Sequence, residues 1–478
     1  MRGVLHGAPT RVSLSLDQVR QACKDIGWDS ARLTPSDLPA LHVQYLETMC
    51  SLWPHTYDRH LILKAQRFDD LKKIDSREAP ILKRMQNIQL VICFIRVAWV
   101  DVAIKAGPSF QAKERTRCKE DIAHFINTYA WAYEPRNIEL GLQTTFPLIM
   151  YPKQAEVCQQ LEMCWKNRQN AIVVKSRGAG ISWLFCAMDI NHFLFYPGFS
   201  AIYGSEKEEK VDLAGDPNSL FGKLRHVLYH LPKFLKPATF TDVQDKKSPH
   251  DNERRLLNPD NNARIIGEVG ENIGRSGRCS LVRIDEAQDI SQPGKIDAAL
   301  TSVTNCRTDV GTPNGMNSFG QRAENGQTFR MDIGWETDPR LSPTWAAGTR
   351  NLDCAWRKHT EATTKPVIIA QEWDRNFNAS VEGAIIPAAY VLAAVDFALE
   401  PDDNDRAAGF DVNAGGENKA VYLLRKGPVV SKVEELPFKT STEATQAAFD
   451  HATADRVTVL NYDMDGICLL YTSDAADE

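Results

Sequence analysis

From Lys175 to Ser182 the chain reads Lys175-Ser176-Arg177-Gly178-Ala179-Gly180-Ile181-Ser182. It follows the apolar run Ala171-Ile172-Val173-Val174 and precedes a stretch with Ile181, Leu184, Phe185 and Met188 on one helical face. A strand, a glycine turn and a helix in that order aim backbone N–H groups and the positive end of a helix dipole at one point, which is the chemistry needed to hold phosphate oxygens. Gly178 and Gly180 permit a close approach that a Cβ would obstruct. Ser182 stands where a hydroxyl ligand to Mg²⁺ belongs. The spacing departs from G-x-x-x-x-G-K-[ST], because Lys175 takes the place of the first glycine and Ile181 that of the lysine. The phosphates of ATP still require a cation, and Lys175 and Arg177 are the local candidates, one of which would reach back over the loop.

Two acids complete that chemistry. Leu281-Val282-Arg283-Ile284 leads into Asp285-Glu286, where the first carboxylate can hold Mg²⁺ through water and the second can polarise an attacking water. Arg283 interrupts the apolar run, so one face of that strand must reach a partner or solvent. Further on, Val310-Gly311-Thr312-Pro313-Asn314-Gly315 is a short strand closing in a tight turn, with the Thr312 hydroxyl at its end. Upstream, Tyr151-Pro152-Lys153-Gln154 offers the Gln154 amide, whose paired donor and acceptor suit an adenine edge. Arg275 and Arg278, within Gly274-Arg275-Ser276-Gly277-Arg278, suit an arginine finger, a DNA-phosphate contact or a plain charged loop. A separate pair of acids, Asp411 in Gly409-Phe410-Asp411-Val412 and Asp463 in Asn461-Tyr462-Asp463-Met464-Asp465-Gly466, ends two strand-like runs. Two converging carboxylates are what a two-metal nuclease needs to position attacking and leaving oxygens, with Mg²⁺ or Mn²⁺.

These residues must be positioned by more than one folding unit, since 478 residues exceed a single ordinary core. Residues 1–140 are rich in Leu, Ala, Lys, Glu and Arg at helical spacing, which predicts a helical N-terminal region of unread role. Over 141–345, strand-like runs alternate with helical stretches, predicting an α/β unit with a mainly parallel sheet and its chemistry at the strand ends. Residues 346–405, with their Pro and Trp residues and the cluster Glu400-Pro401-Asp402-Asp403, read as a connector. Residues 406–467 then read β-β-β-α-β, with Arg406–Val412, Ala420–Arg425, Val429–Val433 and Val457–Tyr462 as strands and Thr442–Asp455 as the helix. The last stretch, Cys468–Glu478, resembles the in-frame translation of a transposase sequencing adapter, so the natural protein is expected to continue past Ile467 with a third nuclease acid.

Composition excludes several classes. Hydrophobic residues at 43% and charged residues at 25% are globular values. A net charge of −6 means that any nucleic-acid contact is local rather than a bulk basic coat. Ile88–Ile104 is apolar but is broken by Arg96 and Asp101 and falls short of about 20 residues, which predicts a buried helix rather than a membrane span. The N-terminus shows no apolar run followed by a small-residue cleavage site. The eleven cysteines form no Cys-x-x-Cys pair and read as reduced packing residues.

Taken in order, the motifs resemble the terminase large subunits of bacteriophages. The resemblance spans roughly Phe146 to Ile467. It implies a P-loop (RecA/ASCE-like) ATPase followed by a partial RNase H-like nuclease. It assigns Lys175 to Ser182 with Gln154 to ATP binding, Glu286 and Arg177 to catalysis, Ser182 and Asp285 to Mg²⁺, and Thr312 to coupling. Asp411 and Asp463 become nuclease metal ligands, while Glu417-Asn418-Lys419 leaves a further ligand open. The implied partners are double-stranded DNA, a portal protein, a small terminase subunit and further copies in a ring on the procapsid. The implied setting is host cytoplasm, transiently at the procapsid portal. The rivals are a helicase or repair-type ATPase, which needs a second ATP-binding lobe, and a non-catalytic nucleotide-dependent scaffold.

Overall fold

The computed structural model describes residues 15–240, 248–378, 399–412, 419–437 and 440–462. The chain divides into two compact units, Met1–Ala389 and Tyr390–Glu478.

In the larger unit the N-terminal helices wrap one long helix, Leu71–Ala106. Met85, Ile88, Ile92 and Ile95 recur at helical spacing along it and are buried. They pack with Val19 and Ile26 of helix Leu16–Ile26 and with Leu41 and Tyr45 of helix Leu38–Cys50. By length and composition this helix could cross a membrane, and half of its apolar window is buried inside the unit. Arg96, which breaks the apolar run, is itself buried. Its Nε donates to the Thr128 carbonyl at 2.5 Å and its guanidinium lies 4.6 Å from the Trp131 ring centre. Burial pulls its pKa down to about 9.

A two-stranded antiparallel pair, β1 (Trp131–Tyr133) and β2 (Thr145–Pro147), precedes the main sheet. That sheet contains β3 (Ala171–Lys175), β4 (Ser200–Ser205), β5 (Asp251–Asn252), β6 (Arg255–Leu257), β7 (Arg264–Val269), β8 (Leu281–Asp285), β9 (Arg307–Gly311) and β10 (Phe329–Ile333). Its order is β10-β3-β9-β8-β4-β7-β6-β5. Every pairing from β10 to β7 is parallel, and β6 and β5 close the far edge antiparallel. β3 and β8 are buried at every position, as central strands of a helix-covered parallel sheet should be, and the charged residues Lys175, Arg283 and Asp285 are buried with them.

The register is what builds the site. β9 lies between β3 and β8, pairing Gly311 with Val174 and Val310 with Asp285. Because the three strands are parallel, the loop after β3, the acids ending β8 and Thr312 after β9 all emerge at the same sheet edge. The helix that follows the glycine loop, Ile181–Phe195, is buried at Ile181 and from Leu184 to Phe195. The N-terminal helices share a continuous hydrophobic core with this helix and sheet.

The smaller unit has β11 (Arg406–Asp411), β12 (Ala420–Lys426) and β13 (Val429–Leu436), then helix Ser441–Ala454 and β14 (Val459–Tyr462). The sheet order is β13-β12-β11-β14, antiparallel except for the parallel β11–β14 pair. Ala444, Ala448 and Ala452, four residues apart, give the helix a flat buried stripe that packs with Phe410, Tyr422 and Leu424. The β-β-β-α-β order read from the sequence is the order observed, with each boundary within a few residues.

Candidate active site

Glycine conformation sets the loop after β3. Gly178 and Gly180 have φ of +74° and +75°, and Gly180 caps the helix that starts at Ile181. An added Cβ at Gly180 would lie 2.7 Å from Gln154 Nε2. That amide donates to the Ala179 carbonyl at 2.8 Å, while Gln154 Oε1 accepts from the Tyr151 backbone N–H at 3.3 Å. Gln154 is buried, and both ends of its amide are engaged within the chain, bracing the loop against its own helix terminus.

Ser182 and Asp285, distant in sequence, meet directly. Ser182 Oγ donates to Asp285 Oδ2 at 2.7 Å, while Asp285 Oδ1 is buried with no hydrogen-bond partner among the described residues. Burial and the neighbouring Glu286 charge push the Asp285 carboxyl above its usual range. A hydroxyl and a carboxylate with one oxygen unengaged are hard oxygen donors suited to Mg²⁺.

Glu286 follows in a left-handed conformation, φ +52°, which is uncommon for a residue with a side chain and concentrates at functional sites. Its two oxygens have different partners. Lys175 Nζ donates to Oε1 at 3.0 Å and Gln288 Nε2 to Oε2 at 2.8 Å. Burial pushes this carboxyl up, but the Lys175 charge and the two hydrogen bonds outweigh it and hold it below the ordinary value. Lys175 is only 7% exposed. Burial alone would lower it, yet Glu286 and Asp285 together raise it, so it is held as a cation at the sheet edge.

Arg177 is placed differently. Its side chain is 70% exposed and lies 3.5 Å from Glu372, and its backbone N–H donates to the Glu372 carbonyl at 2.7 Å. Ser176 Oγ donates to the Trp373 carbonyl at 2.6 Å and accepts from Arg375 at 3.2 Å. The stretch read as a connector therefore begins as two packed helices, Ala355–Thr363 and Pro366–Glu372, whose C-terminal turn clasps the front of the glycine loop. Arg340 braces the same loop by donating to the Gly178 carbonyl at 2.7 Å.

Thr312 is buried, and its backbone N–H donates to Gln288 Oε1 at 3.2 Å. Arg275 and Arg278 are exposed on a turn fastened from beneath by buried Glu268, which accepts from the backbone N–H of Gly274 and, at 2.7 Å, from that of Ser276. Asp411 ends β11 on an exposed position. β11 runs beside β14 with Phe410 opposite Tyr462, and Asp463 lies outside the described residues.

Three participants went unread in the sequence. Asp189, His192 and Gln288 look like ordinary polar residues, and the oddity of Arg283 within an apolar strand left open whether that face reaches a partner or solvent. Arg283 Nε and Nη2 donate to Asp189 at 3.0 and 3.1 Å, and Nη1 donates to Thr308 Oγ1 at 2.9 Å. Asp189 also accepts from Tyr203 at 2.7 Å and lies 3.2 Å from His192 Nδ1. Elsewhere, Glu114, Cys118 and His124 bring ligand-type atoms within 4.8 Å of one another. There Glu114 Oε2 already meets Tyr129, His124 and Trp99 at 2.7, 3.0 and 3.2 Å.

No family model and no curated protein sequence matches the chain. Among solved structures it is similar to the large terminase ATPase domain of Thermus phage P74-26, at 15% identity over 44% of this chain and 88% of that one, with a TM-score of 0.33. It is also similar to the HK97 bacteriophage large terminase, at 13% identity, 75% and 77% coverage and a TM-score of 0.39. The large terminase of a thermophilic bacteriophage, solved in complex with ATP-gamma-S, is 11% identical over 68% and 80%, with a TM-score of 0.32.

Proposed function

We propose that this chain hydrolyses ATP at the edge of its parallel sheet and couples that hydrolysis to the packaging of viral double-stranded DNA. The observation that carries the reading is the contact of Ser182 Oγ with Asp285 Oδ2 at 2.7 Å, beside an Asp285 Oδ1 that no group among the described residues satisfies. A buried carboxylate oxygen left unpaired is costly unless something binds it. Mg²⁺ held by Ser182 and Asp285 would supply charge neutralisation between the phosphates and the leaving group. The backbone N–H groups at the start of helix Ile181–Phe195 bind the phosphate oxygens. Lys175, a buried cation beside both acids, balances the negative charge of the terminal phosphate. Glu286, kept ionised, orients the attacking water and takes up its proton at one of its carboxylate oxygens. On this geometry Gln154 acts as a brace for the loop rather than a reader of adenine, and Arg177 acts outside the phosphate cradle.

The strand order supports this assignment, since a further strand, β9, separates the one ending in the glycine loop from the one ending in the two acids. Thr312 at the end of β9 then adjoins both and is suited to report loss of the terminal phosphate. For the smaller unit we assign an RNase H-like nuclease role, on the strand order and on Asp411 at the end of β11, with Asp463 as its partner acid. The portal protein, the small terminase subunit and a ring of copies belong to the same proposal through the motif resemblance.

ATP turnover by the full chain, with Glu286→Gln as control, tests the reading. Turnover in the wild type with a drop of about 100-fold or more in the variant is expected. Equal rates in the two proteins would exclude Glu286 as the base.

A further inference from the structure

Gln288 lies between the Glu286 carboxylate and the Thr312 turn. Its side chain donates through Nε2 to Glu286 Oε2 at 2.8 Å, and its Oε1 accepts from the backbone N–H of Thr312 at 3.2 Å. Its own carbonyl accepts from Asn317 Nδ2 at 2.8 Å, which ties its main chain to the cap of helix Ser318–Glu324 just past the Thr312 turn. Gln288 is 8% exposed, so these bonds form in a setting where an unmade one is costly. The packing around it is tight. A Cβ on Gly311 would lie 2.3 Å from Gln288 Oε1, so glycine at the end of β9 is what lets this amide reach across.

We infer that Gln288 is the positioning residue that links the Thr312 turn to the hydrolytic carboxylate, setting the orientation of Glu286 according to where that turn stands. The inference rests on the ATP-hydrolysis reading. Its logic comes from the two oxygens of Glu286. One is held by Lys175, the cation that a terminal phosphate would draw away, and the other by Gln288, whose neutral amide has no charge for a phosphate to attract. When phosphate takes Lys175, Glu286 keeps a single anchor, and that anchor is fixed at its other end to the Thr312 backbone. Asn317 holds the Gln288 main chain to the same stretch, so a shift of the turn displaces the amide as a unit. An amide is needed at this point because it supplies a donor to the carboxylate and an acceptor to the N–H at once.

The test uses the full chain with Gln288→Ala and with Gln288→Glu, which keeps the size and the acceptor but cannot donate to Glu286 when ionised. Steady-state ATP turnover is measured beside binding of a fluorescent ATP analogue, with thermal melting as the check on folding. Both variants are expected to bind the analogue within about threefold of the wild type while kcat falls about 10- to 100-fold, the scale set by a misplaced catalytic group. Undiminished kcat in Gln288→Glu, or loss of binding and turnover in parallel, would overturn the inference and leave the ATPase intact. A wild-type chain that binds the analogue but never turns ATP over would overturn the hydrolysis reading, and this role with it.

Discussion

Arg283 and Asp189 are joined at two points inside the larger unit, Nε to Oδ2 at 3.0 Å and Nη2 to Oδ1 at 3.1 Å. Arg283 stands two residues before Asp285 on β8, so both side chains leave the same face of the strand. Asp189 stands about two helical turns after Ser182, so these two share one face of the helix. The ion pair and the Ser182–Asp285 bond are therefore two rungs of one ladder between strand and helix. The buried rung fixes the register at which the hydroxyl and the carboxylate meet.

That relationship makes Arg283 a strong determinant of stability. Arg283→Met would leave Asp189 charged and buried with Tyr203 and His192 as its remaining partners. Removing one member of a buried pair costs about 3–5 kcal/mol. Arg283→Lys keeps a charge but loses the two-point geometry, so its loss should be smaller. Urea unfolding of the three proteins measures this, and a loss below about 1 kcal/mol in Arg283→Met would show that the pair does not brace the sheet against the helix.

Lys175 and Arg177 were equivalent candidates by spacing, and their surroundings separate them. Lys175 is buried 3.0 Å from Glu286, whereas the Arg177 side chain is exposed and turned toward Glu372. Lys175→Ala should weaken binding of an ATP analogue by about 10-fold or more, the scale of a lost charge-assisted hydrogen bond. Arg177→Ala should change it little, because its backbone bond to Glu372 survives truncation of the side chain. Titration of the analogue into both variants decides the matter. A larger loss in Arg177→Ala would move the phosphate cation to the front of the loop.

What was legible in the sequence was local. The strand, glycine turn and helix around Lys175–Ser182, the acids at Asp285-Glu286 and the β-β-β-α-β order after Arg406 are each set by spacing within a short window. What was not legible depended on residues far apart in the chain. Nothing near Arg307 says that β9 inserts between β3 and β8, since parallel order is decided by crossovers. The Pro and Trp residues between 346 and 378 read as a connector, but Trp356 packs on Trp335 and the turn at Trp373 clasps the loop. Gln154 has the donor and acceptor that an adenine edge needs, but only the fold shows that Ala179 and Tyr151 already use them.

The glycines of the loop should differ in their tolerance of a side chain. Both have positive φ, so an alanine at either is strained by about 1–2 kcal/mol. At Gly178 an added Cβ meets nothing within 4 Å among the described residues, whereas at Gly180 it meets Gln154 Nε2 at 2.7 Å. Gly180→Ala should therefore weaken analogue binding more than Gly178→Ala. Adding Gln154→Ala should recover part of the difference by removing the obstruction. Binding titrations of the three variants check it, and equal effects at the two glycines would mean that Gln154 Nε2 yields to the added methyl group.

Acid should loosen the packing of the N-terminal helices on this site through His42. The residue is 8% exposed on helix Leu38–Cys50, and burial, aided by the charge of Arg340, lowers its pKa to about 3. Its unfolded value is about 6.5, so between those limits the unfolded chain binds the proton that the folded chain refuses. Stability from this group is therefore complete above pH about 6.5 and is lost as pH falls below it, reaching about 2 kcal/mol at pH 5. Arg340 is also the residue that donates to the Gly178 carbonyl, so a charged His42 would repel a brace of the loop itself. His42→Leu should be less sensitive to acid than the wild type by that amount when urea unfolding is compared at pH 7 and pH 5. An identical pH response in the two proteins would place the acid sensitivity elsewhere, with His226, also lowered to about 3 by burial and by neighbouring His230, the next group to replace.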